Sequence, residues 1–284
     1  MRNGVTRLRF KTKQTRQQNT NIAPGGRATA FLWYSILMMN SRDRLTLKCF
    51  SPAVMMLTFI IEVVAMLWVL WKHRDTMVGK LIATTLAFLA IFQFAEYMIC
   101  ERAIILSSLE WAKIGFASIS ILPALGMHMA LKLSGEHRPS YIYGGYAMSV
   151  GFAIFFLTAG HGIAADQCAG NYVIFKMMPS VVYFYAAFYY AWTIAGMLFA
   201  YKMSKKKVKN RKALLYLAAG YASFIIPTSI VNIINPETIH GIPSIMCGFA
   251  VILALCLVFG VIPNTHELQK DTKKSKPRKL AVVK

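Results

Sequence analysis

Charge is scarce in this 284-residue chain, and negative charge is scarcest: 15% of residues are charged, with 11 Asp and Glu against 32 Lys and Arg. An ordinary soluble domain carries about 25% charged and 45 to 50% apolar residues. Here 56% belong to the AVILMFWYC set, which is the composition of a membrane protein. With 18 Gly, 10 Pro and 5 Cys, collagen-like, low-complexity and disulfide-scaffold chains are excluded. Chemistry-bearing motifs are lacking too: no Gly-rich phosphate loop, no His-Glu-x-x-His, no Gly-x-Ser-x-Gly and no Cys-x-x-Cys occurs. No enzymatic activity, cofactor or metal is expected. Residues 242–262 hold no Lys for a Schiff base, which argues against a retinal protein.

What the chain does have is long apolar runs. A spanning helix needs about 20 residues, and seven runs qualify, over 53–71, 78–100, 111–133, 141–159, 178–201, 213–234 and 242–262. Charged or Gly/Pro-bearing turns separate them. The expected fold is all-α, an integral membrane bundle of seven transmembrane helices. Loops after the first, third and fifth runs plus the C-terminal tail hold 19 Lys and Arg, whereas the opposite side holds only Arg102, Lys113 and Lys176. The positive-inside rule then puts the start of the first span outside and the C-terminus in the cytoplasm, in the plasma membrane.

The net charge of +21 is concentrated in three blocks: +9 over residues 1–50, +7 over 202–212 and +5 over 264–284. Basic clusters beside apolar runs orient a chain and meet anionic headgroups. No recognition-helix, finger or RNP-like pattern accompanies them, so the bilayer is the expected partner and nucleic acid is not. The domain reading is a basic extension over 1–50, a membrane domain over 51–263 and a basic cytoplasmic tail over 264–284. The extension conflicts with the orientation rule. Its apolar stretch over 28–39 reads as a signal-anchor, as a signal-like segment without a cleavage site, or as the product of a start assigned too far upstream.

Ionisable residues inside spans are costly enough to be informative. Glu62 falls near the middle of the first span and is expected to be neutral, to face the bundle or to face water. His128, in the third, reads as an interhelical hydrogen bonder or a pH sensor. Counting depth along antiparallel spans puts Gln93, Glu96, Trp111, Lys113, Tyr183 and Asn232 at comparable outer levels. These six form the expected ligand site, with Glu96 and Lys113 paired. The aromatic fifth run offers packing or a pocket wall, through Tyr185 with Tyr189 and Phe188 with Trp192 at i and i+4. Cys100 and Cys168 fall on the outer side, where either a disulfide or two separate thiols is expected.

The run Glu110-Trp111-Ala112-Lys113-Ile114-Gly115-Phe116, followed by Pro123 and Leu133-Ser134-Gly135, resembles the third helix of the seven-helix sensor region ahead of many bacterial histidine kinases. Phe94-Ala95-Glu96-Tyr97, Pro227 and Phe259-Gly260-Val261-Ile262-Pro263 are similar to the same family. That family usually continues into a phosphoacceptor helix and an ATP domain, whereas 21 residues follow Pro263 here. His266 therefore reads as a linker histidine. The resemblance implies a sensor or receptor-like module that passes a small-ligand or membrane signal to a cytoplasmic signalling protein. A small-solute transporter and a membrane scaffold without a ligand are the alternatives.

Overall fold

Where no water is at hand, a backbone must satisfy its hydrogen bonds internally, and long apolar runs do so as helices. The computed structural model describes residues 52–101, 106–158, 163–169, 172–234 and 242–266. The reading of residues 1–50 lies outside the described residues, as does Arg102 and all but the first three residues of the tail. The helices are α1 Pro52–His73, α2 Met77–Glu101, α3 Ser108–Ile119, α4 Leu122–Ser134, α5 Pro139–Thr158, α6 Pro179–Ser204, α7 Arg211–Ile234 and α8 Ile242–Leu255. Among the described residues six segments are long and apolar enough to cross a membrane, α3 and α4 counting together as one. The seventh run is built differently: α8 gives way to a π-helical turn, Cys256–Val261, and a 3-10 turn, Ile262–Asn264.

Local chemistry explains the breaks. Ser107 and Glu110 form a reciprocal capping box, in which the Glu110 carboxylate accepts from the Ser107 amide at 2.7 Å and the Ser107 hydroxyl accepts from the Glu110 amide at 3.3 Å. The third run splits at Ser120 and Ile121 because Pro123 supplies no amide hydrogen and crowds the carbonyl four residues back. The Ser120 hydroxyl donates instead to the Phe116 carbonyl at 2.6 Å. By contrast, α7 continues through Pro227, with Thr228 donating its hydroxyl to Phe224. Gly135 ends α4 at φ 76° and caps the Leu131 and Lys132 carbonyls. Only glycine holds that left-handed geometry without cost, so Gly135→Ala is expected to lower stability by about 1 kcal/mol in a detergent thermal melt.

α2 is the hub, touching α1, α3, α4 and α8, while α7 lies between α6 and α8. Contacts of α8 with both α1 and α2 close the bundle. Where α4 meets α7 the Tyr221 side chain lies directly over Gly126, so a side chain at Gly126 would overlap the Tyr221 hydroxyl. The outer faces are apolar and uncovered: Leu57, Val64 and Leu67 of α1 and Ile154 and Leu157 of α5 are exposed. A soluble protein does not leave so much apolar surface to water, and such faces fit lipid.

Between α5 and α6, where the sequence reads as a plain loop, sits an antiparallel hairpin of β1 Ile163–Ala169 and β2 Tyr172–Met177, with an irregularity between Ala165 and Gln167. It is pinned to the helices by Phe175, which is 1% exposed and has its ring centre 4.9 Å from that of Phe116 and 6.4 Å from that of Phe92.

Candidate functional site: a buried carboxyl cluster

Burying a carboxyl group among apolar helices is expensive, so a place where two occur needs an explanation. Glu62 of α1 and Gln93 and Glu96 of α2 are each 2% exposed or less. Glu62 and Glu96 lie within electrostatic reach of one another, since α1 and α2 run antiparallel with the Phe59 ring tilted against that of Phe94 at 5.1 Å. Neither oxygen of Glu62 has a hydrogen-bond partner among the described residues. Phe94 also meets Trp111 edge-on at 5.5 Å, which carries the cluster to α3. The Trp111 indole nitrogen is buried and likewise without a partner among the described residues.

The six residues expected to share one site are thus partly gathered. Gln93 and Glu96 are both buried, three residues apart on α2, and Trp111 meets Phe94 of the same helix. Lys113 is half-buried and lies within electrostatic reach of Glu110. The ion pairs among the described residues are Arg74 with Asp75 at 3.9 Å and Arg138 with Glu136 at 3.5 Å, and neither involves Lys113. Tyr183 is 68% exposed and faces away from the bundle. Asn232 is half-buried, its carbonyl oxygen without a partner among the described residues. His128 meets the Tyr146 hydroxyl at 3.1 Å, which links α4 to α5.

The aromatic fifth run packs. Tyr185 and Phe188 are buried among Phe152, Phe156 and Phe116, with Phe152 and Phe188 stacked at 4.8 Å and Tyr185 edge-on to Phe156 at 4.9 Å. The Ser120 hydroxyl reaches that of Tyr185 at 3.2 Å, tying the break in the third run to this layer. Cys100 is disulfide-bonded, and the side chain of Cys168 lies outside the described residues.

At the basic end, Asn210 joins three segments that are distant in sequence. Its side-chain amide donates to the Leu133 carbonyl at 3.0 Å, and its oxygen accepts from the His266 amide at 2.9 Å. The tail therefore leaves the bundle beside the 202–212 loop and the end of α4. Just before it, Asn264 donates to the Gly260 carbonyl at 2.8 Å inside the π-helical turn. A side chain on Gly260 would collide with Tyr216 of α7, so this turn is pressed against its neighbour. Single π-helical turns are rare and collect at functional positions.

Six helices among the described residues are long and apolar enough to cross a bilayer, and with their lipid-compatible outer faces they mark this chain as a membrane protein. Comparison with protein-family models finds no matching family, and comparison with curated proteins finds no similar sequence.

Proposed function

We propose that the chain is a signal-input module of the kind found ahead of bacterial histidine kinases, spanning the plasma membrane seven times with its start outside and its tail in the cytoplasm. The segment over 242–264 makes the seventh crossing in this reading. The observation that carries the proposal is the pair of buried carboxyl groups, Glu62 and Glu96, on α1 and α2, both of which α8 touches. A carboxyl cluster in low dielectric takes a small cation or a hydrogen-bond donor. Occupying it changes how α1 and α2 fit together, and α8 must follow. The shift then reaches the π-helical turn and the tail held by Asn210, where an inner-face partner would read it.

A second reading, a small-solute carrier, draws on the same carboxyl pair, because ion-coupled carriers also keep acids at span depth. Proteoliposomes separate the two. The full chain in phosphatidylcholine vesicles is expected to dissipate imposed proton, sodium and potassium gradients no faster than empty vesicles. Flux that Glu62→Gln removes would replace the signalling reading with the carrier.

A further inference from the structure

An open groove of about 330 Å³ runs down the outward side of the bundle between α6 and α7. It is lined by the small side chains Ala218, Ala219 and Ala222, of which Ala218 is buried, and by Leu198, Leu215 and Ile226, each about half exposed or more. From Leu215 to Ile226 it extends about 16 Å at the helical rise. One leaflet of a bilayer's hydrocarbon core measures about 15 Å. The groove is therefore as long as a single lipid tail is deep.

Its mouth is cationic. Tyr201 closes the end nearest the 202–212 loop, and the Lys205 ammonium sits 4.9 Å from the centre of the Tyr201 ring. Arg211 and Lys212 precede Leu215 by four and three residues, which puts both on its face of α7, one turn closer to the loop. All three cations are exposed, and residues 202–212 contain seven Lys and Arg and no acid.

We propose that this groove is a binding site for one anionic phospholipid, whose acyl chain lies along Ala219 and Ala222 and whose phosphate is held by Lys205, Arg211 and Lys212. The recess between helices distinguishes a held lipid from the passing lipids around it, and the cations select against a zwitterionic headgroup. Each basic side chain near a membrane surface favours an anionic lipid about fivefold, so the three together give a preference on the order of a hundredfold at low salt.

The test uses the full chain in phosphatidylcholine nanodiscs containing a minority of phosphatidylglycerol, with retained lipid counted by mass spectrometry after detergent exchange. The wild-type protein is expected to keep phosphatidylglycerol in preference to phosphatidylcholine. The variant with Lys205→Gln, Arg211→Gln and Lys212→Gln should lose at least tenfold of that preference. Ala222→Phe, which fills the groove and leaves every charge in place, should lose retention as well. If Ala222→Phe does not fold, Ala219→Leu narrows the same groove. A control with Lys72→Gln, Arg74→Gln and Lys80→Gln should retain the lipid as the wild type does. Retention unchanged by the groove-filling variant, equal loss in the control, or displacement by millimolar inorganic phosphate would each overturn the proposal. They would mean a diffuse basic surface or a headgroup-only site.

Discussion

Glu62→Leu is expected to raise the thermal unfolding midpoint of the protein in detergent. The Glu62 side chain is wholly enclosed and neither carboxyl oxygen has a partner among the described residues. A buried polar group without a hydrogen bond costs about 1–3 kcal/mol, and an apolar side chain of similar size leaves that cost out. The gain in stability should be about 1 kcal/mol, the low end of that cost. Glu62→Gln keeps the shape and some of the polarity and should fall between the two. A residue retained for packing behaves in the opposite way, so a lower midpoint for Glu62→Leu would mean that the carboxyl holds the bundle together and is no binding group.

The second large effect is at the hairpin. Phe175 is the described side chain that fastens β2 to the helices, filling the space between Phe92 and Phe116. Truncating a buried phenylalanine to alanine costs 3–5 kcal/mol in well-packed sites, and a hairpin of two strands is marginal alone. Phe175→Ala is therefore expected to cost about 3 kcal/mol and to expose residues 163–177 to protease while α1 and α2 stay protected. Cleavage unchanged from the wild type would show that the hairpin is held by something other than this ring.

Most helix positions could be read from hydropathy, because each apolar run between charged turns had one way to satisfy its backbone. The run over 78–100 became Met77–Glu101, and that over 213–234 became Arg211–Ile234. Hydropathy alone does not show where a run breaks. Pro123 stopped one helix while Pro227 did not stop another, although hydroxyls bond back to helix carbonyls beside both, Ser118 and Ser120 to Gly115 and Phe116, and Ser223 and Thr228 to Gly220 and Phe224. Two signals were present and short. Ser107-Ser108-Leu109-Glu110 is a capping-box sequence, and Gly170-Asn171 separates a strand-like Tyr172-Val173-Ile174-Phe175 from the residues before it.

The site was legible in part. Placing Gln93 and Glu96 together needed only their spacing on one helix. Bringing Glu62 to them required knowing the offset between α1 and α2, which depends on Phe59 against Phe94 rather than on counting residues from the turn. Depth counting assigned Tyr183 a level but could not fix its azimuth, and it points outward. Asn210 carried no signal at all, since an asparagine in a basic loop looks like any other turn residue until its partners Leu133 and His266 are seen.

The central claim is that the state of the carboxyl pair is transmitted through α8 to the point where the tail leaves the bundle. Hydrogen exchange followed by mass spectrometry, on the full chain in nanodiscs, reads this directly by comparing wild type, Glu62→Gln, Glu96→Gln and the double variant. The account predicts altered exchange over 256–266 in each single variant, a non-additive change in the double variant, and unchanged exchange in α5. Changes confined to α1 and α2, with 256–266 exchanging as in the wild type, would contradict it.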